Sequence, residues 1–176
     1  MFGQLIMNTN PPVGFIGLGL MGQAMATQIL NAGYCLCIHS RTAAKAEPLI
    51  TLGATYANTP AELARKVQSG IIIVCVTDSI ALEDVLVGEQ GLLAHIAADC
   101  LIIDMGTSRF DLTQKLAQKT QAKGAHYIDA PVSGGQIGAQ QGTLSIMAGG
   151  QLSQLQRAQP LFDAMAKKTT HVGDIG

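Results

Sequence analysis

Charge is what this sequence has least of. Asp, Glu, Lys and Arg make up 13% of the 176 residues and sum to a net charge of −1, roughly half the usual charged share. So sparse and balanced a set offers neither the basic patch of a nucleic-acid binder nor the basic face of a membrane-surface protein, and neither partner is expected. Gly and Pro, 20 and 6 residues, are too few for a linker-like chain, and a hydrophobic share of 48% excludes disorder. No Cys-x-x-Cys pair occurs. Cys35, Cys37, Cys75 and Cys100 read as small core hydrophobes in a reducing compartment. The opening Met1-Phe2-Gly3-Gln4 has no basic start and no long apolar run behind it. No leader or membrane span is expected there, and the cytoplasm is the expected location. Titratable clusters are missing too. His39, His95, His126 and His171 are scattered, none with a carboxylate at a telling spacing, and no metal site is expected.

What is present is glycine in two bursts. Four of the 20 lie in residues 14–22 and six in residues 134–150. Glycine gathers where backbone needs positive φ or approaches something closely, so the bursts suggest two parts of one binding site. Between them, apolar runs alternate with helical stretches. Strands are expected at Val13–Ile16, Tyr34–His39, Ala54–Tyr56, Ile71–Val76, Leu101–Asp104, His126–Ala130 and Leu144–Ala148, with a last one near His171-Val172. Helices are expected over Leu20–Ala32, Thr42–Leu52 (strained by Pro48), Pro60–Gln68, Ser79–Val87, Leu92–Ala97 and Leu152–Ala166. A further helix, capped by Ser108-x-x-Asp111, should stop at Gly124. Such alternation predicts a Rossmann-like, doubly wound α/β domain over residues 13–176, its mostly parallel sheet covered on both faces, after an N-terminal extension of residues 1–12.

Gly17-Leu18-Gly19-Leu20-Met21-Gly22 fits G-x-G-x-x-G between an expected strand and an expected helix, the context that a dinucleotide pyrophosphate requires. Gly17 permits the turn, Gly19 leaves room for phosphate, and Gly22 lets helix and strand close up. The backbone of Leu18, Leu20 and Met21 completes the phosphate cradle at the helix N-terminus. An ordinary tight turn is the alternative. About 20 residues on, an NAD site would place Asp or Glu. This chain has His39-Ser40-Arg41-Thr42, then Lys45, and no carboxylate before Glu47. Arg41 suits a 2′-phosphate, with Ser40 and Thr42 as hydroxyl donors, so NADP is the expected cofactor and NAD the alternative.

The stretch Asp129-Ala130-Pro131-Val132-Ser133-Gly134-Gly135, running on through Gly138-Ala139 to Gly142-Thr143-Leu144, together with Gly14–Gly22, resembles the β-hydroxyacid dehydrogenases. These include 3-hydroxyisobutyrate dehydrogenase and the glyoxylate/succinic semialdehyde reductases. The resemblance implies that Ser133, Gly134 and Gly135 hold a small substrate's carboxylate, and that Val76, Thr77 and Thr107 line the cofactor near its nicotinamide. Gly106 and Phe110 depart from the family's Asp-x-Ser-Thr-x-x-Pro pattern at 104–110. In relatives a helix bearing Lys-x-x-Asn follows, its lysine serving as acid/base. The sequence ends at Gly176 before any such lysine, and no catalytic residue is assigned. Lys167 and Lys168 are expected on the surface of the preceding helix.

The resemblance thus implies the cofactor-binding domain of an oxidoreductase that moves hydride between NADP(H) and a small hydroxy acid or semialdehyde. Alone it would bind cofactor without turnover and self-associate through apolar surface near residues 131–147. A non-catalytic, stand-alone dinucleotide-binding module is the alternative, although such a module has no need of the carboxylate loop.

Overall fold

A computed structural model describes residues 10–176. Of the extension expected over 1–12, residues 1–9 lie outside the described residues. The first apolar run is β1 (Val13–Ile16), buried along its whole length. It turns through glycine into α1 (Leu20–Asn31), which presents Gly22, Met25, Ala26 and Ile29 inward at the spacing of one helix face. β2 (Leu36–His39) and β3 (Thr55–Tyr56) follow. The helix expected between them is divided, a 3-10 turn at Ala43–Ala46 giving way to α2 (Glu47–Thr51). Pro48 explains the division: in the first turn of α2 its missing N–H goes unneeded, whereas inside a continuous helix its ring would clash with the preceding turn.

α3 (Pro60–Val67) begins at Thr59, whose hydroxyl oxygen accepts from the Glu62 amide at 3.0 Å. Glu62 reciprocates one residue beyond the usual capping box, accepting from the Asn58 amide at 2.8 Å. Then come β4 (Ile71–Val74), α4 (Ser79–Val87), β5 (Leu101–Asp104), α5 (Phe110–Gln121) and β6 (His126–Asp129). Only a 3-10 turn, Leu92–Ala94, stands where a longer helical piece was expected. The capping expectation at Ser108 fails. Arg109 is the residue before α5 and makes no side-chain cap, because the Ser108 hydroxyl is drawn to the buried Asp104 carboxylate at 2.7 Å.

The chain ends in β7 (Val132–Ser133), α6 (Gly135–Gln141), β8 (Leu144–Gly149), α7 (Leu152–Met165) and β9 (Ala166–Gly173). The second glycine burst therefore holds a helix that was not expected, α6, followed by the strand expected at Leu144–Ala148, here β8. Lys167 and Lys168 lie exposed on β9, not on a helix, because the chain turns extended at Ala166 to pair with β8.

The sheet runs in the order β3-β2-β1-β4-β5-β6-β8-β7, with β9 beside β8. From β3 to β6 every pairing is parallel. β8 meets β6 and β7 antiparallel. Side chains on β4 alternate between two cores. Ile71 and Ile73 join Phe15, Met25, Ile29 and Phe162 on one face, while Ile72 and Val74 join Leu63, Leu82, Leu86 and Leu116 on the other. Helices thus cover both faces, and this is the doubly wound α/β fold expected. Among the described residues no helix is long and apolar enough to cross a membrane.

Candidate functional site

The strand order reverses between β1 and β4, and at such a point two βα turns diverge and leave a crevice at the strand C-termini. A cavity of about 440 Å³ opens there. Its floor is the turn after β1. Gly17 has φ +102°, a conformation that disfavours side chains, and a Cβ there would stand 2.1 Å from the Cys75 carbonyl oxygen. A Cβ on Gly22 would fall 1.8 Å from the Gly17 carbonyl oxygen, so α1 can start against the turn only with glycine at this position. Gly19 is the reverse case: a Cβ there meets nothing within 4 Å. No side chain caps α1, and no acidic residue stands in its first turn. The amides of Leu20, Met21 and Gly22 therefore keep the donors and partial positive charge that suit an anion.

Gly17, Leu18 and Gly19 line this cavity with Ser40, Arg41 and Thr42 from the end of β2 and Val76 and Thr77 beyond β4. Eight residues singled out in the sequence thus meet in one place. Leu18 is buried as a whole residue although it borders the cavity, and Leu20 and Met21 stand just outside the lining. Tyr56 donates its hydroxyl proton to the Ser40 carbonyl at 3.1 Å, fixing the turn that carries Arg41. Gln23 likewise donates to the Lys45 carbonyl at 2.9 Å, tying α1 to the 3-10 turn. Among the described residues Arg41 makes no ion pair, although its charge helps hold the Asp78 carboxyl below its ordinary range. The larger causes there are the Ala81 amide and the Thr77 hydroxyl.

Sequence reasoning missed the opposite wall, formed by Tyr56 at the end of β3, by Asn58, Thr59 and Pro60 after it, and by Ala81, Asp84 and Val85 on α4. A signal existed. Thr59-Pro60 and Asp78-Ser79 each start a helix just after a strand, and in a parallel sheet all such starts open on one side. Cys75 also lines the cavity, its thiol pushed up to about 11 by burial.

Thr107 lies exposed outside the lining, on the loop after β5. Ser133, Gly134 and Gly135 also lie outside the cavity and are exposed. They form the end of β7 and the start of α6, with φ +133° at Gly134 and +60° at Gly135. The two glycine bursts nevertheless adjoin, since each opens a helix and those helices pack together. A groove of about 240 Å³ separates Leu20 and Gln23 of α1 from Gln136 and Gln140 of α6, and Gln28 donates to the Gln140 carbonyl.

Comparison with known proteins fits this geometry. The family model for the NAD binding domain of 6-phosphogluconate dehydrogenase matches residues 12–173. The chain is 39% identical over 164 residues to the 2-hydroxy-3-oxopropionate reductase of Escherichia coli, covering 93% of this chain and 55% of that protein. Among solved structures, Psf3 in complex with NADP+ and 2-OPP superposes with a TM-score of 0.86 at 33% identity, over 92% of this chain and 56% of that one. The Mycobacterium tuberculosis 3-hydroxyisobutyrate dehydrogenase with L-serine gives a TM-score of 0.87 at 26% identity, over 94% and 55%. The chain spans about 55% of the length of these relatives. With its glycine turn, its reversal-point cavity and a family match along nearly its whole length, the chain belongs to the family of the 6-phosphogluconate dehydrogenase NAD-binding domain, as an NAD(P)-binding domain of the hydroxyacid dehydrogenase kind.

Proposed function

We propose that residues 13–176 bind NADP(H) in preference to NAD(H), as the cofactor domain of an oxidoreductase acting on a small hydroxy acid or semialdehyde. One observation carries the preference: at the end of β2, Ser40, Arg41, Thr42 and Lys45 converge on the cavity with no carboxylate on their turn. An acidic residue there would accept both free ribose hydroxyls and repel a 2′-phosphate, whereas a guanidinium pairs with that phosphate. The residues present fit the cofactor. Gly19 leaves open space over the α1 amides, which would hold the pyrophosphate, and Val76, Thr77 and Thr107 would border the nicotinamide half. When bound, the reduced cofactor supplies the hydride.

Ser133 and the Gly134 and Gly135 amides would take the substrate carboxylate, since an exposed, glycine-rich helix start offers several donors to one anion. At the β4 end of the cavity burial pushes the Cys75 thiol up to about 11, so it stays protonated at neutral pH. No acid/base is assigned among the described residues. Cys37 and Cys100 are buried among apolar side chains and form no disulfide, as suits a reducing location such as the cytoplasm. Ile137, Leu152 and Val172 are exposed, and through such apolar surface the isolated chain would self-associate.

Calorimetric titration with NADPH and NADH tests the preference. Wild type should favour NADPH, and Arg41→Ala should lose about 1.5–3 kcal/mol of NADPH binding with little effect on NADH. Equal affinities in wild type would refute it.

A further inference from the structure

Asp104 is the one charged side chain among the fully buried described residues, with no solvent exposure. It ends β5, one strand beyond the cavity. Burying a carboxylate is costly unless its oxygens are bonded, and these are. Oδ1 accepts the Gly106 amide at 2.9 Å, and Oδ2 accepts the Ser108 hydroxyl at 2.7 Å and the Tyr127 hydroxyl at 3.2 Å. Two of the three donors belong to the loop of residues 105–109, and the third belongs to β6.

That loop is fastened at both ends. The Met105 amide donates to the Val74 carbonyl at 2.8 Å, and the Arg109 amide donates to the Ser79 hydroxyl oxygen at 3.0 Å. Between these points Gly106 lies against the cavity wall. A Cβ on it would come within 3.5 Å of the Val76 carbonyl oxygen and 3.1 Å of Asp104 Oδ1. In an open α/β sheet the second half of a dinucleotide lies past the reversal point, over the ends of β4 and β5.

From this placement we infer that Asp104 is a positioning residue, holding the 105–109 loop where it meets the nicotinamide half of the cofactor. The inference rests on the NADP(H) reading above and deepens it. Stability alone does not account for an ionisable group here, because a well-packed apolar residue would serve the core as well or better. Burial pushes the Asp104 carboxyl up, and Asp129 alongside is pushed up by its own burial and by the Asp104 charge. The fold keeps a carboxylate where it is electrostatically disfavoured, and what that carboxylate grips is a loop at the cavity's edge.

The test separates the two halves of the cofactor. Affinities of the chain for NADPH and for 2′,5′-ADP, which lacks the nicotinamide, are measured together with the emission of bound NADPH. Asp104→Ala should weaken NADPH about tenfold and remove the blue shift of its emission, leaving 2′,5′-ADP unchanged. Ser108→Ala, which leaves the buried carboxylate with two of its donors, should shift NADPH affinity the same way by less, and it decides the matter if the alanine at 104 does not fold. Parallel losses on both ligands, or no loss on either, overturn the assignment of Asp104. A wild-type chain that binds neither ligand overturns the underlying cofactor reading, and this assignment with it.

Discussion

Two glycines three residues apart face opposite constraints, and substitution should tell them apart. Gly19 looks onto open space, so Gly19→Val should leave thermal stability near wild type while abolishing NADPH binding, the added methyls occupying phosphate room. Retained binding would place the phosphates elsewhere. Gly22 faces the Gly17 carbonyl oxygen at 1.8 Å from its notional Cβ, so Gly22→Ala should destabilise by about 1–3 kcal/mol in thermal or urea unfolding. The close contact at Gly22 is legible in the sequence because spacing alone sets that glycine against the turn, and the open space at Gly19 is what its expected phosphate role requires. Ser108 is not legible in this way. Its distance from Asp111 suggests a helix cap, but its hydroxyl goes to a buried carboxylate four residues earlier. Local spacing cannot register that competitor, since the need for the bond arises only once β5 is enclosed.

Helices fixed by local chemistry match expectation most closely. α4 occupies Ser79–Val87 as read from the sequence, with Asp78 accepting the Ala81 amide at 2.8 Å as its cap. At α3, Thr59→Ala should cost about 1 kcal/mol by removing the hydroxyl acceptor, as measured by denaturant unfolding. Glu62 adds a pH dependence. Lys66 and the two Asn58 donors lower its carboxyl from 4.5 to about 2. A lowered carboxyl stabilises the fold above its unfolded value, and that contribution fades as pH falls from about 4.5 through 2. Protection of the amides at the start of α3, taken relative to their intrinsic exchange rates, should therefore fall on acidification in wild type and lose that response in Glu62→Gln. The pair is exposed, so the effect should also shrink with added salt. α6 shows the opposite case. Four glycines between 134 and 142 read as turn, yet a helix forms there because it packs on α1, and a Cβ at Gly138 would stand only 3.3 Å from the Leu144 side chain. Tertiary packing overrides propensity at that point.

For the molecule as a whole, the parallel sheet is legible because apolar runs such as Ile71–Val74 can be satisfied only with helices on both faces. β7 is not, since a two-residue strand carries no period, and no local signal sets β8 antiparallel to β6. The chain should bind NADPH yet show no appreciable oxidation of it with small semialdehydes, even at high protein concentration. A positioned acid/base is worth roughly 10²–10⁴-fold in rate, and enclosure of the substrate adds several kcal/mol more. Robust, saturable turnover would point to an acid among these residues. The strand order also bears on how the protein is made. β1, the first strand of the series to be synthesised, lies inside the sheet with β2 on one side and β4 on the other. Each strand from β2 to β6 pairs with one already translated: β2 on β1, β3 on β2, β4 on the free side of β1, β5 on β4, β6 on β5. β7 alone must wait, because its partner β8 follows it. The sheet can therefore assemble outward from its oldest strand while the ribosome is still at work, each newcomer capping an edge that would otherwise stay open to a neighbouring nascent chain.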